Sequence, residues 1–287
     1  MPGRRERKRG MDAAPAGHRE GRPSIVLLEY FTETRRPVYT FFLVLPFVLL
    51  YEAGMIFLSL SAREWDVRNG ADAILRALFF PSKLADAGTW GTVIWTLFSA
   101  LILFGAFGWW QLRSAASWKL KPRHLWYCYL ESFAWGIILL LLVIPLKMLG
   151  LPEGMSMAPP CSQGGQAEFG LLERIVMSAG AGVYEELVFR LFLAGGLILM
   201  LRGMLGVHRA GAAIAAVVLA SLVFSGVHYI GDYGDSFTWA SFVFRVVAGV
   251  FFSLLFHYRS FGVAVATHAF YDIIVNLLIS AAGYARS

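Results

Sequence analysis

The chain has 287 residues, of which 57% are hydrophobic, 15% aromatic and only 15% charged, and its mean hydropathy is +0.61. That is too apolar for a soluble domain of this length and predicts an all-α, polytopic membrane helix bundle. Two isolated cysteines, Cys128 and Cys161, exclude a disulfide framework, and the net charge of +6 is spread around apolar segments as membrane topology requires, so no nucleic-acid partner is expected.

Residues 1–36 hold nine Lys and Arg and few large apolar side chains before Ile25, which predicts a disordered, basic tail. No cleavable signal is read there, because the first apolar run is a full span long and lacks a small-residue cleavage site. The bundle is expected over 37–281, with about seven transmembrane helices at roughly 38–60, 90–110, 132–149, 174–201, 210–229, 238–256 and 261–281. Between the first two, DAILRALFFPSKLADAG (72–88) carries Ile74, Leu75, Leu78 and Phe79 near helical spacing and predicts a helix lying flat at the interface. The Gly-, Pro- and Met-rich stretch 150–170 reads as a flexible connection. Sixteen Lys and Arg fall on the side of the tail and five on the other, so the amino terminus is expected in the cytoplasm; a bacterial cell membrane is the expected location.

The fourth span contains YEELVFR (184–190), two carboxylates and an arginine in an otherwise apolar helix. Each charge costs about 2.5–3.5 kcal/mol at the centre of a membrane helix, so something must offset or require them. On an α-helix Glu186 and Arg190 share a face and pair, while Glu185 is turned about 100° away and left over. Of six histidines, His228 sits near the end of the fifth span and His268 within the seventh, with Asp272 one turn further along the same face. A glutamate, two histidines and an aspartate from three helices supply a general base, proton carriers and hydrogen-bond donors, the ingredients for activating water. Straight helices put these groups at different depths, so tilt or a kink has to align them. Gly182 and Gly226 are candidates for close helix approach. Glu52, Lys147 and Arg245, also in or beside spans, are expected to pair with one another or to snorkel.

Three motifs in order, Glu185-Glu186-LVF-Arg190, Phe224-SGV-His228 and His268-AFY-Asp272, resemble the EExxxR, FxxxH and HxxxN motifs of the CPBP (Abi) family of membrane proteases, which includes the CAAX prenyl endopeptidases. The resemblance covers about 170–281. It implies an intramembrane endopeptidase, a hydrolase acting on a membrane-associated protein or peptide, in some members a prenylated CAAX-type one. It further implies that Glu185 activates water with help from His228. His268 and residue 272 would stabilise the oxyanion or position substrate, while Glu186 and Arg190 would hold the helix and tune the base. Asp272 departs from the commoner Asn: an ionised carboxylate donates no hydrogen bond, so it either stays protonated, orients His268 or binds a cation. The family implies either a metalloprotease or a glutamate-dependent enzyme; zinc held by His228, His268 and a carboxylate is one cofactor the residues leave open. Two other readings stand beside it: a serine-type protease built on Ser225 with a later histidine, and a proton-coupled carrier or channel in which buried Glu and His relay protons.

Overall fold

The computed structural model describes residues 23–61, 67–85, 87–148, 170–230 and 234–284, and every regular element among them is helical. In chain order these are α1 (Pro23–Glu33), α2 (Pro37–Leu60), α3 (Gly70–Phe79), α4 (Ser82–Ala85), α5 (Gly88–Ser114), α6 (Pro122–Met148), α7 (Leu171–Gly180), a π-helical segment (Ala181–Ala194), α8 (Gly195–Gly203), α9 (Arg209–Val227), α10 (Trp239–Tyr258) and α11 (Phe261–Tyr284). Six of them, α2, α5, α6, α9, α10 and α11, are long and apolar enough to cross a membrane. The seventh expected span corresponds to the continuous helix formed by α7, the π-helical segment and α8, which carries Glu185, Glu186 and Arg190 and is not among the six.

The core sits around α11, which packs against α2, α6, α7, the π-helical segment and α10. Its small and β-branched residues Val263, Ala264, Val265, Ala266, Thr267 and Ala269 are fully enclosed. Small side chains let neighbouring backbones close in, the usual means of packing helices where lipid removes the hydrophobic drive. The outer helices instead turn large apolar residues outward, among them Leu97 and Leu101 on α5 and Ile214 on α9. Asn276 joins α11 to α7 by donating to Ser178 Oγ at 3.0 Å.

Two segments differ from the sequence expectation. The tail, expected without structure to residue 36, is helical over α1: Tyr30 donates to Glu131 Oε2 at 2.7 Å, and Arg259 donates to the same oxygen at 2.6 Å. A three-way polar contact with α6 and the α10–α11 connection outweighs the local composition, while Leu27, Leu28 and Phe31 stay exposed. Helix α6 starts ten residues before the expected 132, and α1 also meets this added stretch, where Glu33 Oε2 lies 3.0 Å from His124 Nδ1. Helix α3 forms where an interfacial helix was expected, but with its polarity inverted. Asp72 and Arg76 are buried with Ala71 and Leu75, and Ile74, Leu78 and Phe79 face outward. Residues 149–169, containing Cys161 and most of the expected flexible connection, lie outside the described residues, as do 1–22.

The π-helical segment reaches α11 through Gly182. A Cβ there would stand 2.8 Å from the Ala269 nitrogen and 2.9 Å from the Val265 carbonyl oxygen, so the two backbones touch. Gly226, by contrast, has open space at its Cβ position and plays no such part. Gly182→Val is expected to push the segments apart at about 1–3 kcal/mol, the usual cost of overpacking. In a thermal melt of the detergent-solubilised protein this appears as a fall of several degrees, whereas an unchanged melting temperature would show that the approach is not tight.

Candidate active site

Glu185 and Glu186 lie in the π-helical segment, where hydrogen bonds run i→i+5 and the backbone winds more widely than in an α-helix. Successive side chains are therefore closer in angle than the 100° expected, and both carboxylates reach the same imidazole. Glu186 Oε1 accepts from His268 Nδ1 at 2.8 Å, and Glu185 Oε2 lies 3.9 Å from His268 Nε2. The two carboxylates approach different ring nitrogens, and Arg190 pairs with Glu186 as expected, leaving Glu185 to face the two histidines.

Arg190 lies 3.1 Å through Nε from Glu186 Oε2, as its spacing predicts, and is 1% exposed. Its guanidinium sits over the rings of Phe224, at 4.4 Å from the centroid, and Phe252, at 5.3 Å. Weak hydration and a flat face suit guanidinium to such a slot better than an ammonium. Phe252 also stacks on the His268 ring at 4.4 Å and 16°, so this one aromatic side chain supports both the cation and the imidazole.

His228 terminates α9 and folds back over it: Nδ1 lies 2.6 Å from the Phe224 carbonyl oxygen, one turn earlier on the same helix. A carbonyl only accepts, so Nδ1 carries the proton and, in the neutral ring, Nε2 presents its lone pair. That Nε2 is 3.9 Å from Glu185 Oε2. This backward fold helps bring a residue at a helix end level with Glu185, an alignment that counting along straight helices did not anticipate.

Asp272 Oδ2 is 3.6 Å from His268 Nε2, beyond hydrogen-bond reach, and the orienting role considered for it is carried by Glu186. The zinc alternative finds no support in these donors. A tetrahedral zinc with bonds of about 2.0–2.1 Å needs neighbouring donors about 3.3 Å apart, and no group of three His, Cys, Asp or Glu with metal-binding geometry occurs among the described residues. Ser225, fully buried, donates its hydroxyl to the Phe242 carbonyl at 2.8 Å, which leaves the serine-protease reading without a free nucleophile.

All six residues singled out in the sequence, Glu185, Glu186, Arg190, His228, His268 and Asp272, therefore meet in one cluster. The sequence reading missed the residue that completes it. Asn69, at the N-terminus of α3, donates Nδ2 to Glu185 Oε1 at 2.9 Å. An Asn just before a helical pattern is a legible cap signal, but a partner 116 positions away is not.

A family model described as type II CAAX prenyl endopeptidase Rce1-like matches residues 167–274. The likeness is to this segment, under half of the chain, called the Rce1-like domain below. It spans α7 to the middle of α11 and contains the six clustered residues, whereas Asn69 lies outside it. Together with the six apolar helices, this match points to an integral, multi-pass membrane protein and to a protease. No curated protein and no solved structure matches the chain.

Among the described residues, Glu52 and Arg245 have partners other than each other. Glu52 accepts from Ser99 Oγ at 3.1 Å and from Tyr184 Oη, and Arg245 pairs with Asp235 and donates to Tyr229 Oη at 2.8 Å. The side chain of Lys147 lies outside the described residues. Removing the cation beneath the Rce1-like site has a larger expected effect. Arg190→Leu leaves Glu186 buried without its counter-charge and is expected to destabilise the protein by about 3–5 kcal/mol. Adding Glu186→Gln to the same chain should restore part of the loss. Thermal unfolding of the two variants checks this, and a single variant melting with the wild type would show that the pair is dispensable.

Proposed function

We propose that the protein hydrolyses a peptide bond in a membrane-associated protein or peptide, a prenylated CAAX-type C-terminus being the form its family suggests, by a water that Glu185 deprotonates. The observation carrying this reading is a distance. Glu185 Oε2 is 3.9 Å from His228 Nε2 and 3.9 Å from His268 Nε2, too far for a direct hydrogen bond and suited to a single water bridging each pair. Such a water donates one proton to Glu185 and the other to the lone pair of His228. As its oxygen attacks the carbonyl carbon, Glu185 takes the first proton and later passes it to the leaving amine. His268, fixed at Nδ1 by Glu186 and clamped by Phe252, in its doubly protonated form offers Nε2–H to the developing oxyanion. No step needs a metal.

Asp272 borders the same space without a hydrogen bond from His268, which favours a protonated carboxyl that donates to substrate, as the amide of the commoner Asn does. The excess of Lys and Arg on the side of the amino terminus supports a cytoplasmic orientation of that end.

The test is cleavage by purified protein in lipid nanodiscs, offered a panel of membrane peptides that includes a fluorogenic farnesylated CAAX peptide. Glu185→Gln should lower turnover at least 100-fold, within the range of general-base catalysis. Ser225→Ala should cleave at close to the wild-type rate, and Asp272→Asn should remain active. Full activity of Glu185→Gln, or proton flux with no cleavage of any peptide by the wild type, would reject the proposal.

A further inference from the structure

We infer that Asn69, contributed by a segment outside the Rce1-like domain, is a positioning residue for the base: its amide holds Glu185 so that only Oε2 faces the two histidines. The inference rests on the proposed reading of Glu185 as the group that takes the proton from water.

Asn69 is 6% exposed, and both ends of its amide are committed. Oδ1 accepts from the Ala71 backbone nitrogen at 2.9 Å and caps α3, while Nδ2 donates to Glu185 Oε1 at 2.9 Å. The two contacts define which end is which, because the reverse orientation would set oxygen against carboxylate and amine against N–H. A carboxylate can otherwise rotate and exchange its oxygens. With Oε1 held by the amide, Oε2 is the atom turned towards His228 and His268.

The support behind Asn69 is built from other helices. Its backbone nitrogen donates to Tyr51 Oη at 3.3 Å, and that hydroxyl donates to Asp72 Oδ2 at 2.7 Å. Asp72, fully buried, also accepts from Arg68 at 2.8 Å and from Trp95 Nε1 at 2.7 Å. The Tyr51 ring packs on Tyr184, the residue before Glu185, with centroids 5.4 Å apart. Helices α2 and α5 are thereby tied through α3 to one oxygen of the base. This also accounts for the inverted polarity of α3, whose inward face must carry the groups that fasten Asn69.

Capping and positioning separate by substitution. Asn69→Ser retains a side-chain oxygen able to cap α3 but has no amide that reaches Glu185, whereas Asn69→Ala loses both contacts. The full chain in nanodiscs is assayed on whichever panel peptide the wild type cleaves, with Glu185→Gln alongside. The expected result for Asn69→Ser is a melting temperature close to the wild type, a KM within about threefold of it, and a kcat lower by about 10- to 100-fold, the range typical when a supporting hydrogen bond to a reacting group is lost. If Asn69→Ser restores both stability and kcat relative to Asn69→Ala while Glu185→Gln is inactive, Asn69 is only a cap and the inference is overturned with the proposed function intact. An active Glu185→Gln protein, or a wild type that cleaves nothing in the panel, overturns both.

Discussion

The buried contact between Arg190 and Glu186 is the constraint on which the rest of the site depends. A carboxylate enclosed by apolar helices is stable as an anion only beside a cation, and the cation itself must be sheltered from the same apolar surroundings. Here the guanidinium is sheltered by Phe224 and Phe252, and it counters Glu186 at 3.1 Å. Glu186, so neutralised, fixes His268 through Nδ1 and sets the direction of the opposite ring nitrogen. The second glutamate, Glu185, instead lies 3.9 Å from the Nε2 atoms of both histidines. Two adjacent carboxylates thus have different surroundings, Arg190 beside Glu186 and Asn69 with two histidines around Glu185.

Packing makes that division geometrically available. The π-helical winding of Ala181–Ala194 turns neighbouring carboxylates towards a common partner, and wide turns of this kind recur at functional sites although their backbone geometry is less favourable than that of an α-helix. The segment is held against α11 where Gly182 meets Val265 and Ala269, and its turns from Ala181 to Leu187 are buried. The fold back of His228 over Phe224 supplies the remaining approach from α9.

Helix α3 shows how a connection between spans becomes part of a site. In water its apolar face would turn inward; here Ile74, Leu78 and Phe79 face outward and Asp72 and Arg76 face the bundle. Surrounded by lipid, outward apolar side chains cost little, and the interior is free to collect hydrogen-bonding groups that order one another. The segment matched by the family model contains the six clustered residues, while the preceding helices supply Asn69, which donates to one of them.

The class of fold and the six residues of the cluster were legible in the amino-acid sequence, because each follows from short-range information. Membrane-span length is a run of apolar residues, and a charge inside such a run is conspicuous wherever it occurs; Glu186 and Arg190 are also close enough in the chain for their pairing to be read directly. The tertiary structure alone decided the helix type that turns Glu185 and Glu186 towards one imidazole, the partners of Glu52 and Arg245, the docking of α1 and the contact of Asn69 with Glu185. These depend on which helices become neighbours, and residues separated by about a hundred positions carry no local pattern that reveals their meeting. Winding near Glu185 and the inward face of α3 are set by the packed bundle, since tertiary contacts outweigh local preferences that amount to at most about 1 kcal/mol per residue outside proline.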